Sequence, residues 1–173
     1  MPFEIRALDS SQLASQMHAF VALLEDAVND GASLGFLPPL DPIAAVTYWH
    51  DCIDDLEENR TLLLAVYDGK SLLGSVQLAL CTRPNGAHRA EVNKLMVHTT
   101  ARRLGLGKSL MAAAEDHARR IGRTLLVLDT RKGDPSESLY RRLGYLAAGE
   151  IPRYARSAGG ELHTTILFFK ELA

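Results

Sequence analysis

Between Glu91 and Met111 the chain passes from an extended segment, Val92 to Val97, through a short basic turn, Arg102-Arg-Leu-Gly-Leu-Gly107, into a helical pattern that starts at Leu106. A glycine turn alone is common and usually structural, so its context between a strand and a helix decides how it is read. Gly105 and Gly107 lack a Cβ, so backbone N–H groups can come close to a ligand. The helix that follows adds unpaired N–H groups and the positive end of its dipole. Arg102, Arg103 and Lys108 place cationic side chains at the same point. The combination predicts an anion site suited to a phosphate or pyrophosphate. A dinucleotide fingerprint would need a third glycine where Leu110 stands, and a Walker loop would need one where Arg102 stands.

What remains is strand, R-x-x-G-x-G, helix. With Leu95-Met-Val97 before the loop and Leu139-Tyr-Arg-Arg-Leu-Gly-Tyr145 after it, the pattern resembles the GNAT superfamily of N-acetyltransferases. The resemblance implies a mixed α/β fold: a mostly antiparallel central sheet flanked by helices, with two central strands splayed to form an acetyl-CoA cleft. Within the superfamily, Gly31-Ala-Ser-Leu-Gly-Phe36, Pro84-Asn-Gly86, Arg89 to Val97, Leu128-Asp-Thr130 and Gly160-Glu-Leu-His163 resemble the tabtoxin resistance acetyltransferases.

The chain has 173 residues, 47% of them apolar, and a formal net charge of −2. One domain spanning residues 1–173 is expected, with a substantial core and no global basic field for nucleic acid. The two cysteines, Cys52 and Cys81, are too few for a disulfide framework. No leader pattern and no membrane-length apolar run is read, so a cytoplasmic location without membrane contact is expected. No His, Cys, Asp or Glu cluster has metal-ligand spacing, and no metal is expected.

Period-2 alternation predicts a strand over Phe3–Ala7. Asp9 caps a helix to about Val28, and Asp41-Pro42 opens a second with Ile43, Val46, Trp49, Ile53 and Leu56 on one face. Thr61–Tyr67, Ser71–Leu80 and His88–Val97 read as a meander. The helix after the loop carries Leu106, Leu110, Ala114, Ala118 and Ile121 on one face. Thr124–Leu128 reads as a buried strand and Asp134-Pro-Ser136 opens a further helix. Tyr145–Ala148 and Leu162–Phe169 close the sheet.

The resemblance assigns roles by position. Backbone groups of Leu95, Met96 and Val97 would pair with the pantetheine arm, and Arg102, Arg103, Leu104, Gly105, Leu106, Gly107, Lys108 and Ser109 would hold the pyrophosphate. Glu91 and Asp129 are the candidates to bind and deprotonate the acceptor amine, directly or through water. The alternative is that Glu91 pairs with Arg89 or Lys94 and that Asp129 caps the turn into Thr130. Tyr140 is the candidate general acid toward the leaving thiolate and a cofactor contact; its alternative is a core aromatic. His98 and His163 are read as structural. Three positions depart from the family pattern: Arg103 for glycine, Thr99 for proline, and Gly133 for an asparagine, with Ser136 as a substitute contact. The loop from Gly31 to Pro39 and the segment Pro152–Gly160 are expected to wall the acceptor side, where Arg153 and Arg156 suit a carboxylate.

The expected activity is transfer of an acetyl group from acetyl-CoA to a small amino-acid-like amine, a β-lactam toxin being one candidate acceptor. Protein acetylation, and acyl-CoA sensing without turnover, stand as the rival classes. A homodimer is compatible with the resemblance, since terminal strands and exposed loops often pair in such proteins.

Overall fold

The computed structural model describes residues 3–173. Seven strands form one sheet in the order β1-β2-β3-β4-β5-β7-β6. They are β1 (Glu4–Leu8), β2 (Thr61–Asp68), β3 (Ser71–Leu80), β4 (Arg89–Val97), β5 (Leu125–Arg131), β6 (Leu146–Arg156) and β7 (Leu162–Glu171). Every neighbouring pair is antiparallel except β4 and β5. The expected mixed, mostly antiparallel sheet is therefore present, with its parallel pair at the centre.

Helices cover both faces. α1 (Ser10–Ser15), α2 (Met17–Asn29) and α3 (Pro42–Glu57) lie on one, α4 (Leu106–Arg120) and α5 (Pro135–Arg142) on the other. Alternation along β2 feeds both cores: Leu63, Ala65 and Tyr67 join the α1–α3 cluster, while Leu64 and Val66 join the cluster around α4. The same parity sorts the centre of the sheet. Ala90, Val92, Leu126 and Leu128 face α4, so Glu91, Val127 and Asp129 face the opposite side.

Several expected boundaries move. The first helix is two helices, broken at Gln16 (φ −116°, ψ 15°). The Gln16 side chain donates to the Gln12 carbonyl and accepts from the Tyr67 hydroxyl, which fixes the break against β2. In α3 the buried stripe is Ala45, Trp49 and Cys52, whereas Ile43 and Val46 are exposed. Small Ala45 lets the helix seat Trp49 edge-on against Phe20, with ring centroids 4.9 Å apart. Ile121 lies past the end of α4 and is exposed; Met111 is buried in its place. β5 runs beyond Leu128 to Arg131 because β7 pairs with it throughout. β6 is an eleven-residue edge strand instead of a four-residue one, with two irregularities in its pairing to β7.

Candidate active site

The parallel pairing of β4 and β5 stops at Glu91 and Val127. β5 continues to Arg131 alongside β7, and β4 continues to Val97 alongside β3. The two strands thus part, and the β4 edge from Val92 to Val97 has no strand partner on the β5 side. A cleft of ≈ 1110 Å³ fills the gap. Its lining includes Leu95, Met96 and Val97, the turn residues Arg102, Arg103, Gly105, Leu106, Gly107 and Lys108, and Asp129, Ser136 and Tyr140.

The parting has a local cause. Gln77 pairs with Asn93, but Ser75 pairs with Met96, so β4 carries one more residue than β3 across this step. Such a bulge bends its strand. Lys94 lies in it with φ 51°, the left-handed region that L-residues other than Asn and Asp seldom enter.

At the cleft's basic end, Gly105 (φ 79°) is the N-cap of α4 and supplies no side-chain cap. The first-turn N–H groups therefore stay free for an anion. A Cβ built on Gly105 meets nothing within 4 Å, so the approach is open. Arg103 has φ 64°, which explains why glycine suits that position and shows that arginine keeps the same backbone. Arg102 is paired with Asp30 at 2.5 Å, tying the turn to the end of α2. Leu104 and Ser109 are outside the cleft lining; the Ser109 hydroxyl donates back to the Gly105 carbonyl at 3.3 Å.

Thr99 shows what its departure from proline achieves. Its N–H and hydroxyl both donate to the Asp26 carboxylate at 2.8 Å, and proline has no N–H to offer. His98 is 3.7 Å from the same carboxylate, and His163 is 3.7 Å from Glu161, so neither pairs with Glu91 or Asp129. Gly133 has φ 88° and its N–H donates to Glu137. Ser136 lines the cleft, 2.6 Å from the Thr130 hydroxyl.

Asp129 borders the cleft and accepts a 2.7 Å hydrogen bond from Thr165, a buried residue of β7. Its carboxylate is oriented by that bond and does not cap Thr130. Glu91 is on the same face, one step outside the lining, and forms no ion pair with Arg89 or Lys94 among the described residues. Burial, then the charge of Asp129, raises its pKa above the usual carboxyl value. Tyr140 is buried with its ring near Tyr145 and Phe168. Desolvation, followed by Asp129, pushes its phenol up to about 12, so it remains a proton donor.

Lys94 is the site residue that pattern reading underrated. Its ammonium is 5.2 Å from the Tyr48 ring centre and 6.0 Å from that of Phe36, beside Glu91 and Asp129. Burial pushes its pKa down, while the two carboxylates oppose that shift. The signal lay in broken alternation: two polar residues, Asn93 and Lys94, precede three apolar ones in a strand.

Parts of both segments border cavities. Gly31–Gly35 line the cleft, and a neighbouring cavity of ≈ 540 Å³ is bounded by Phe36–Pro38 and Ala155–Gly159. Arg131 joins the walls by donating to the Gly31 carbonyl at 3.1 Å while pairing with Asp134. Arg156 lines the second cavity and donates to the Gly160 carbonyl; Arg153 lines neither.

Comparison with known proteins agrees with this architecture. The chain is 31% identical over 118 residues to an uncharacterized N-acetyltransferase from the hisH-hisA intergenic region of Azospirillum brasilense, a match covering 67% of this chain and 68% of that protein. Its fold is shared by an N-acetyltransferase of Staphylococcus aureus Mu50, with TM-score 0.82, 15% identity and full coverage of both chains. It is shared too by YncA of Salmonella typhimurium, solved with its cofactor acetyl-CoA, with TM-score 0.80, 17% identity and coverage of 100% and 95%. Residues 21–145 match the Acetyltransferase (GNAT) family, so the chain belongs to that family and is an acyltransferase that uses acetyl-CoA.

Proposed function

We propose that the acceptor is the primary amine of a small amino-acid-like molecule. The observation that carries this reading is the walled acceptor side. The Gly31–Pro38 loop and the Ala155–Gly159 turn bound a cavity that shares Arg131 and Ala155 with the cleft, close to Asp129. A pocket bounded in this way suits a small molecule better than a polypeptide segment.

Acetyl-CoA, when bound, supplies an activated thioester. The chain's own groups then divide the work. First-turn N–H groups of α4, with Arg103 and Lys108, hold the pyrophosphate. The unpaired edge at Leu95, Met96 and Val97 receives the pantetheine arm as an added strand would be received. Asp129 and Glu91 hold the acceptor ammonium and take its proton, directly or through water, so that a neutral amine attacks. Tyr140 gives its proton to the departing thiolate. Direct attack in a ternary complex needs no covalent enzyme intermediate.

The tabtoxin resistance likeness makes a β-lactam amino-acid toxin one candidate acceptor within this class. The two free cysteines suit a reducing cytoplasm. No helix among the described residues is long and apolar enough to cross a membrane. The test is release of coenzyme A thiol from acetyl-CoA with a panel of small amines that includes β-lactam amino acids. Turnover on an amino-acid-like amine, lost by about 100-fold or more in Asp129→Asn or Glu91→Gln, is expected. No turnover on the panel while acetyl-CoA binds tightly would refute it in favour of a protein acceptor or an acyl-CoA sensor.

A further inference from the structure

We infer that Lys94 sets acceptor specificity, its ammonium receiving a carboxylate carried by the acceptor close to the reacting amine. This rests on the small-amine reading above and extends it to a defined substrate class, α-amino acids and their close analogues.

The argument begins with the backbone. The bulge in β4 holds Lys94 at φ 51°. A left-handed conformation at lysine costs about 1 kcal/mol or more and persists only where its surroundings enforce it. The side chain is thereby delivered to the face that carries Asp129, inside the cleft. Its ammonium differs from those of Lys132 and Lys170. Lys132 and Lys170 each pair with a glutamate at 2.8 and 2.7 Å. Lys94 has no carboxylate within ion-pair distance and donates no hydrogen bond among the described residues. What surrounds it is the Tyr48 ring at 5.2 Å, the Phe36 ring at 6.0 Å and Gly35, where a Cβ would come within 3.8 Å of the ammonium nitrogen.

Ring faces steady a cation without filling its N–H directions. The Tyr48 hydroxyl is already donating to Gln77 at 2.8 Å. Lys94 therefore brings up to three donors to the acceptor side, with no carboxylate within ion-pair distance of them among the described residues. Beside it are Asp129 and Glu91, anionic groups that suit the amine. A cation on one side and carboxylates on the other complement a zwitterion: the ammonium toward Asp129 and Glu91, the carboxylate toward Lys94. A partly desolvated ammonium–carboxylate contact also discriminates strongly, because an acceptor without the anion leaves Lys94 as unpaired as before.

The test compares each L-amino acid with its α-carboxamide, using purified enzyme, acetyl-CoA and thiol release, in the wild type and in Lys94→Met and Lys94→Arg. The readout is the ratio of kcat/KM for carboxylate over carboxamide. In the wild type we expect about 10- to 100-fold for the accepted side chain. In Lys94→Met the ratio should collapse to about one, chiefly through KM, and Lys94→Arg should keep a clear preference. Lys94→Gln replaces the Met variant if that fails to fold. A wild-type ratio near one, or a ratio unchanged in Lys94→Met, overturns the assignment while leaving small-amine acetylation intact. Equal losses on both acceptors in Lys94→Met, with a shifted pH profile, would make Lys94 a positioning residue for the carboxylates and also overturn it. No turnover with any pair, acetyl-CoA still binding, removes the small-amine reading itself.

Discussion

Replacing Lys170 with Met should unfold the protein more easily without touching the cleft. Glu115 is buried in α4, at 6% exposure, and its charge is met by the Lys170 ammonium at 2.7 Å. The same ammonium donates to the Leu143 carbonyl at 2.7 Å and lies 5.4 Å from the Tyr145 ring centre. One side chain from β7 thus ties α4 to the turn after α5. Without it, Glu115 keeps only Arg119, 3.7 Å away and largely exposed. The second Glu115 oxygen and the Tyr145 hydroxyl are already buried without a hydrogen-bond partner among the described residues. Stranding a buried charge costs about 3–5 kcal/mol, and the partial compensation by Arg119 favours the lower end, about 3 kcal/mol. For a chain of this size that is a fall in Tm of about 6–12 °C. Thermal melts and urea titrations with an unchanged m-value would read it. Glu115→Leu combined with Lys170→Met should recover most of the loss, since no charge is then stranded. A Lys170→Met variant within about 1 kcal/mol of the wild type, or a double variant at the sum of the two single losses, would refute the reasoning.

Tyr140→Phe should lower kcat by about 100-fold while stability changes by less than about 1 kcal/mol. The phenol is pushed up to about 12, so the loss should be the same at pH 7 as at pH 9. The sign also fixes a stability effect: a phenol that ionises near 10 when unfolded and near 12 when folded stabilises fully below pH 10 and loses that contribution as pH rises through 12, which alkaline melts would show. Gly74→Ala should weaken acetyl-CoA binding by at least about tenfold, measured by calorimetry, because the new Cβ would lie 2.5 Å from the Met96 carbonyl oxygen and push back the β4 edge. The acid limb of kcat/KM should rise with an apparent pKa above the usual glutamate value of 4.5, because burial, then the charge of Asp129, raises the Glu91 pKa. Where Asp129→Asn retains measurable rate, that limb should move toward lower pH.

The parts of the fold that follow from local physics were legible in the residues. Asp41-Pro42 marks a helix start, and the Asp41 carboxylate does cap the N–H of Ile43. The glycine turn before α4 was visible because Gly105 must adopt a positive φ that few residues tolerate. What stayed hidden depends on partners distant in sequence. The break at Gln16 needs Tyr67, the extension of β5 needs β7, and the length of β6 is set by pairing that Gly149 and Pro152 disguise. The same holds in the site. Asp129 and Tyr140 were singled out as candidates by pattern, but Thr165, which hydrogen-bonds Asp129, is 36 residues away and carries no motif. The orientation of α3 escaped for a different reason: Ile43 and Val46 fit a helical stripe as well as Ala45 and Cys52 do, and only packing against Phe20 selects between them.

The bulge at Lys94 explains where the cleft opens. In a regular parallel pair, β4 and β5 would stay hydrogen-bonded to their ends, and no free backbone edge would exist in the middle of the sheet. The extra residue between Asn93 and Met96 bends β4 away just after Glu91. That single insertion exposes the N–H and C=O groups of Val92 to Val97 on the side where the cofactor arm is expected. It also changes the parity of the strand. Val92 faces α4, and without a bulge Met96 would face it too; instead Met96 packs into the α1–α3 core, while Leu95 and Val97 pack against the α4 cluster. Lys94 is turned toward Phe36 and Tyr48 by the same irregularity. One backbone defect thus opens an unpaired edge on β4, ends the strand pairing next to Glu91 and aims the cleft lysine of β4 at Phe36 and Tyr48. A shortened β4 lacking it would lose all three features together, because they have one geometric cause.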